Sequence, residues 1–257
     1  MHPSTLLVED RDEGVRVLTL SNPARRNALD DGQVARLDEA LASAPGKVRA
    51  VLLRGAGGTF CSGYDLNALG APTEERLPDD ALMECLARLE SLPLPSVALV
   101  QGWAFGAGFD LSASCDFRIG SEEAVFCMPP ARLGIVYSPD GLMRAARLVG
   151  VARAKNLFLT GRRLDAKEAL AWGLLDECLP AADAEARALE QCRTLAAQAP
   201  LAVAGMKESF GLLARASLGP AEQQRLRGLR AAAFGSEDAK EGRASFLEKR
   251  PPRFTGS

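Results

Sequence analysis

Two glycine-rich loops carry the residues best placed for chemistry. One reads Gly57-Gly58-Thr59-Phe60-Cys61-Ser62-Gly63-Tyr64-Asp65-Leu66, the other Gly102-Trp103-Ala104-Phe105-Gly106-Ala107-Gly108-Phe109-Asp110. Glycine has no Cβ, so a backbone N–H in such a loop can approach a ligand closely. Two N–H groups aimed at one oxygen would form an oxyanion hole, each donor contributing about 3 to 4 kcal/mol in a transition state. A helix opening at Gly106 would add the positive end of its dipole. Glycine content alone is equally compatible with two tight turns. Nucleotide binding is disfavoured. Neither loop completes Gly-x-Gly-x-x-Gly, since Leu111 and Phe60 stand where the third glycine should be, and no Gly-Lys-Ser/Thr step occurs.

The rest of the inventory excludes several chemistries. The only histidine is His2, in a terminal segment, so a Ser-His-Asp or Cys-His catalytic pair is not expected, nor are the common histidine-containing zinc sites. Six cysteines, at 61, 85, 115, 127, 178 and 192, form no Cys-x-x-Cys pair and read as buried hydrophobes in a reducing compartment. No metal site is expected. A net charge of -2 gives no global positive field for nucleic acid or an anionic membrane. No apolar run of about 18 residues occurs and Met1 to Val8 lacks a signal-peptide pattern, so a cytoplasmic protein is expected.

The 257 residues, 47% hydrophobic and 25% charged, suit one globular α/β domain, with or without a C-terminal appendage. Val15 to Leu20 alternates as a half-buried strand would, and a helix follows from Leu29, with Asp30 or Asp31 as N-cap and Pro45-Gly46 as its stop. Val48 to Leu53 and Ser96 to Gln101 read as strands covered on both faces, each feeding a glycine loop, with a helix at about Asp79 to Leu92 between them. A short helix is expected at Phe109 to Ser114 and short strands at Phe117 to Ile119 and Val125 to Cys127. From Asp140 on, helical windows dominate: 140–149, 151–159, 165–172, 183–198, 200–217, 221–234 and 237–248, with only 173–179 extended. The expected division is an αβ core over 1–182 and a helical region over 183–257.

Taken in order, Asn22-Pro23-Ala24-Arg25-Arg26-Asn27-Ala28-Leu29, Phe60 to Leu66, Gly106 to Leu111 with Cys115-Asp116, Gly161 to Leu175 and Glu237 to Arg250 resemble the successive signatures of the enoyl-CoA hydratase/isomerase (crotonase) family. The resemblance implies a ββα spiral core and a C-terminal helical region that builds homotrimers or dimers of trimers. It also implies an acyl-CoA thioester substrate, with coenzyme A as part of that substrate and no tightly bound cofactor. Carried over residue by residue, the oxyanion amides would be those of Tyr64 and Ala107. The segment Tyr64, Asp65, Leu66, Asn67 would line the adenine and pantetheine end, with Ala28, Ser62, Gly63, Gly106, Pro130 and Tyr137 completing the substrate-binding set. Arg25 or Arg26 would lie near the CoA phosphates, where a guanidinium makes charge-assisted contacts; both could equally form a solvated basic turn.

The catalytic carboxylates depart from the family pattern. Family hydratases place one after Gly-x-Gly-x and one in a Pro-Glu step before Leu-Gly. Here the first is Asp110, one methylene shorter than the usual Glu, and the second position, in Pro129-Pro130-Ala131-Arg132-Leu133-Gly134, is Pro130, which moves no proton. Asp140, in Tyr137-Ser138-Pro139-Asp140-Gly141, resembles the Ser-Pro-Glu-Gly base of one class of family isomerases, although an ungapped alignment from Gly134 puts Ser138 there. Asp140 could instead cap a helix, and Asp110 could partner a neighbouring backbone or Arg. Trp103, Phe105, Phe109, Phe126 and Tyr137 are candidates for an acyl pocket or for core. The reaction implied is enoyl-CoA hydration or double-bond isomerisation through a thioester enolate. A degraded member that only binds acyl-CoA or assembles with partners is the alternative.

Overall fold

The computed structural model describes residues 5–44, 46–73, 75–214, 220–250 and 252. Among them lie nine strands: β1 (Thr5–Arg11), β2 (Val15–Ser21), β3 (Ala50–Gly55), β4 (Ser96–Val100), β5 (Trp103–Phe105), β6 (Phe117–Ser121), β7 (Val125–Cys127), β8 (Arg163–Asp165) and β9 (Glu177–Leu179). The helices are α1 (Asp31–Ala42), α2 (Asp80–Ser91), α3 (Ala107–Ala113), α4 (Pro139–Val149), α5 (Val151–Thr160), α6 (Ala166–Trp172), α7 (Ala181–Ala196), α8 (Pro200–Ala214), α9 (Pro220–Gly235) and α10 (Glu237–Leu247). The expected αβ core followed by a helical C-terminal region is thus present. The expected helix end at 215–217, the stop at Pro45 and the terminal residue His2 lie outside the described residues.

Six strands form the main sheet in the order β1-β2-β3-β4-β6-β9, antiparallel only between β1 and β2. The parallel part follows from the chain's rhythm, because each parallel neighbour needs a crossover: α1, α2 and α3 lie in the first three, and α4, α5 and α6 in the last, from β6 to β9. Alternate side chains therefore go to opposite faces. Val51 and Leu53 of β3 join Leu18, Leu20, Leu37, Leu86 and Val100 under α1 and α2. Ala50 and Leu52 pack with Val17, Val97, Leu99 and Ile119 against Ala184, Ala188 and Cys192 of α7, so helix α7 closes the other face. Small residues on α7 let it approach the sheet closely.

β2 corrects its expectation: it is covered on both faces, and its polar side chains are paired inside. Arg16 sends Nε and Nη2 to Asp10 at 2.6 and 2.8 Å and Nη1 to Ala40 O at 3.0 Å, which answers the cost of burying a charge. The three strands not expected from sequence, β1, β5 and β8, are an edge strand with four exposed positions and two three-residue strands too short to show a period. β5, β7 and β8 make a separate small sheet, and β5 lies inside what reads as one glycine-rich turn. α1 begins at the expected place, with Asp30 accepting from Gln33 N at 2.7 Å as N-cap.

Candidate functional site

The two glycine loops are zipped together by backbone hydrogen bonds. Phe60 N donates to Gln101 O at 2.7 Å, Cys61 N to Trp103 O at 2.8 Å, and Phe105 N back to Cys61 O at 3.0 Å. On its other side the first loop is held by Leu29 N to Gly63 O at 2.8 Å and Asp65 N to Leu29 O at 2.7 Å. This close packing dictates the glycines. A Cβ on Gly108 would stand 2.3 Å from Cys61 O. One on Gly63, whose φ is +106°, would stand 2.9 Å from Phe105 O and 3.7 Å from Ala107 N.

The zipper sets Tyr64 N, one peptide bond beyond Gly63, beside Ala107 N at the start of α3. Neither N–H donates to any acceptor among the described residues. Ala107 N is spare as the first donor of a helix and Tyr64 N is spare in a loop, where buried backbone donors are almost always paired, so the two can donate to an oxygen brought in by a ligand. α3 begins at Ala107, two residues before the expected start, which puts the Ala107 amide in its first turn while Tyr64 N stays in the first glycine loop. Cys61 beside them is inert: burial pushes its thiol up to about 12.

Asp110, one turn along α3, is fully buried, and its carboxylate is occupied. Arg144 of α4 grips it from both sides, Nε to Oδ1 at 2.8 Å and Nη2 to Oδ2 at 2.9 Å, and the Tyr137 hydroxyl donates to Oδ2 at 3.0 Å. Arg144 Nη1 extends the network to Glu90 at the end of α2, at 2.8 Å. Burial pushes the Glu90 carboxyl up against the pull of Arg144, and burial, then the Asp110 charge, holds the Tyr137 phenol well above its usual range. Tyr137 is therefore a neutral donor to Asp110. Of the two readings of Asp110 open from sequence, the partner for an Arg is what the fold contains.

Asp140 lies exposed in the first turn of α4 and makes no hydrogen bond or ion pair among the described residues. It is not the cap. Ser138 is, accepting from Gly141 N at 3.1 Å, because Pro139 at the first helical position leaves Ser138 as the last extended residue. Pro130 is buried and opens a short 3-10 turn. Phe109 and Phe126 are core, edge to face at 6.2 Å, whereas Trp103 and Phe105 stack at 4.7 Å in the small sheet with the Arg26 guanidinium 4.1 Å above Trp103. Arg25 pairs with Asp65. Ala28 N bonds Arg25 O at 3.2 Å, Ser62 Oγ donates to Arg25 O at 3.1 Å, and Asn67 N to Asp65 at 3.1 Å, so these residues do form one continuous rim. Leu66 O is held from α10 by Arg243 Nη2 at 3.2 Å.

Three residues of this site are not singled out by the sequence. Arg144 and Glu90 are separated from Asp110 by long stretches of chain and carry no local pattern. Asn27 is fully buried at φ +56° and ties the 22–29 turn to the first glycine loop, donating to Ala56 O at 2.9 Å and Thr59 O at 2.6 Å. Its place inside Arg26-Asn27-Ala28 was its only signal.

The sequence profile described as Enoyl-CoA hydratase/isomerase matches residues 10–257. A probable enoyl-CoA hydratase of Rhodobacter capsulatus is 37% identical over 250 residues, 95% of each chain. A methylmalonyl-CoA decarboxylase of Escherichia coli is 31% identical over 248 residues, 94% of this chain and 95% of that one. Among solved structures, a methylmalonyl-CoA decarboxylase in complex with 2-nitronate-propionyl-CoA superposes with a TM-score of 0.90 at 30% identity, covering 98% of both chains. An enoyl-CoA hydratase/isomerase from Pseudoalteromonas atlantica gives 0.84 at 30% identity, over 97% of this chain and 99% of that one.

Proposed function

This chain belongs to the enoyl-CoA hydratase/isomerase family, and we propose that its reaction is the decarboxylation of a 2-carboxyacyl-CoA, of the malonyl or methylmalonyl type, through a thioester enolate held by the amides of Tyr64 and Ala107. The observation that carries this reading is the state of Asp110. Both its oxygens are taken by Arg144 and one also by Tyr137, and Pro130 stands at the second carboxylate position of hydratases. Hydration needs a base for water and an acid for the α-carbon; neither of the two usual carboxylate positions offers one in working geometry.

Decarboxylation makes the enolate without a base. The bond from Cα to the carboxylate carbon breaks, its electron pair moves into the thioester carbonyl, carbon dioxide leaves, and a proton from water then forms the new bond at Cα. The protein's task is to favour the enolate oxygen over the ground-state carbonyl, about 3 to 4 kcal/mol per amide, which is what two preset N–H groups do at no cost in reorganisation. Relatives described as methylmalonyl-CoA decarboxylases support this choice. The CoA thioester enters past the rim of Arg25, Arg26, Asp65 and Asn67, and coenzyme A arrives and leaves as part of the substrate.

A second reading keeps hydration or isomerisation, with Asp140 as base. Its support is that the Asp140 carboxylate has no partner among the described residues and that relatives are described as probable enoyl-CoA hydratases. One assay separates the two. Malonyl-CoA and methylmalonyl-CoA should release carbon dioxide and give acetyl-CoA and propionyl-CoA, while crotonyl-CoA should keep its 2-enoyl absorbance. Loss of that absorbance with a 3-hydroxyacyl product, and no carbon dioxide, refutes the decarboxylase reading.

A further inference from the structure

We infer that Arg144 is a positioning residue that sets the type of reaction: its grip withholds Asp110 from the α-carbon of the substrate, so that this site does not abstract protons. The inference rests on the reading of the Tyr64 and Ala107 amides as the enolate-holding pair, and not on which acyl group is consumed.

Asp110 follows Ala107 by three residues in α3, so its side chain leaves the helix on the same face, about 5 Å along the axis from the amide. A carboxylate there would be within reach of Cα of a thioester whose carbonyl oxygen sits on that amide. To act as a base it needs a free lone pair. Oδ1 faces Arg144 Nε at 2.8 Å, and Oδ2 faces both Arg144 Nη2 at 2.9 Å and Tyr137 Oη at 3.0 Å. The pair is sealed, with the Asp110 side chain 0% and the Arg144 side chain 3% exposed. A guanidinium does not give up its proton in proteins, so the grip does not relax by titration of Arg144. Glu90 anchors the far side of the same guanidinium at 2.8 Å and fixes its direction.

With methionine in place of Arg144, the stem volume remains and the three donors go. Asp110 is then left with Tyr137 alone, and the lone pairs of Oδ1 that Arg144 held become free to take a proton from carbon. The step that becomes open is proton exchange: the Cα–H bond breaks, its electrons pass into the thioester carbonyl as the enolate, and Asp110 takes the proton. After that acid exchanges with deuterated solvent, a deuteron returns to Cα and the carboxylate is restored.

The test is deuterium incorporation at Cα of butyryl-CoA in D2O, followed by NMR, a substrate with no carboxylate to lose. Wild type should stay at the rate without enzyme. Arg144→Met should exchange at least about tenfold faster, a modest fraction of a general base's usual effect, and Arg144→Met with Asp110→Asn should lose the gain. Exchange by Arg144→Met at the wild-type rate, with native circular dichroism and unchanged butyryl-CoA affinity, overturns the inference, as does wild type exchanging as fast as the variant. If Arg144→Met does not fold, Arg144→Lys serves: it keeps the buried charge but engages one oxygen at a time, and the same gain or its absence decides. Wild-type release of carbon dioxide from methylmalonyl-CoA is read separately, so failure of the decarboxylase reading and failure of this inference are distinguishable.

Discussion

The carbonyl oxygen of Phe105 lies 2.9 Å from where a Cβ on Gly63 would stand, in the backbone that leads directly to Tyr64 N. Gly63 also sits at φ +106°, a region closed to L side chains. In Gly63→Ala the loop must move away from β5, and Tyr64 N must move with it. Turnover should fall by about 10²-fold or more, the loss seen when one oxyanion donor is removed. The change should fall on kcat more than on KM, because the lost contact strengthens only as the enolate forms. Steady-state kinetics beside a thermal melt check this, and unchanged kcat would mean that Tyr64 N does not contact the reacting oxygen.

Glu90 predicts a pH dependence of stability. Its carboxyl is pushed up by burial, with Arg144 and Arg147 pulling down and Asp110 pushing up. In the window from the ordinary carboxyl value of about 4.3 to the raised folded value, the folded chain holds a proton that the unfolded chain has released. Unfolding free energy from this group therefore falls as pH rises through that window. Urea unfolding at pH 4, 5.5 and 7 should show Glu90→Gln gaining on wild type as pH increases. A constant difference across those pH values refutes the assignment.

Large apolar side chains stand exposed on a single copy: Val151 at 61% and Leu159 at 70% on α5, Leu170 at 42% on α6, and Phe246 at 61% on α10. Exposed apolar surface on this scale is usually covered by a partner. Self-association into a homo-oligomer is the expected outcome of sedimentation at micromolar concentration. A monomer alone there would contradict it.

What could be read in the sequence was what is local. Asp30 as cap of α1, the buried runs of β3 and β4, and the glycine loops each carry their signal within a few residues. The apolar spacing predicts α3 only from Phe109, because Ala107-Gly108 carries no helical period, whereas the helix opens where Gly106 turns at φ +50°. Which arginine holds Asp110 is not legible in the sequence. Its partner is 34 positions away and Glu90 is 54 positions from Arg144, and an arginine on a helix looks alike whether it meets water or a buried carboxylate. The cap of α4 is Ser138 and not Asp140: Ser and Asp both serve as N-caps, and Pro139 at the first helical position decides between them.

Asp110 and Asp140 should separate in both activity and stability. Asp110→Asn leaves the Arg144 guanidinium facing a neutral amide inside the protein, and breaking a buried pair costs about 3 to 5 kcal/mol, so a large drop in the melting temperature is expected. Since its carboxylate is occupied rather than poised, decarboxylation per folded molecule should fall by less than about tenfold, well short of the 10² or more that a general base contributes. Asp140→Asn removes an exposed carboxylate from the first turn of α4, where it favours the helix dipole only weakly. Its melting temperature should hardly change, and under the decarboxylase reading its turnover should not change either. The isomerase reading reverses this: Asp140→Asn would then cost 10² or more in turnover at unchanged thioester affinity, with Asp110→Asn affecting stability alone. Measuring both variants with methylmalonyl-CoA and with a 3-enoyl-CoA, at a temperature where both are folded, decides between them. If Asp110→Asn instead abolishes carbon dioxide release from protein that is still folded, Asp110 takes part in the reaction despite its pairing, and the proposed mechanism is wrong.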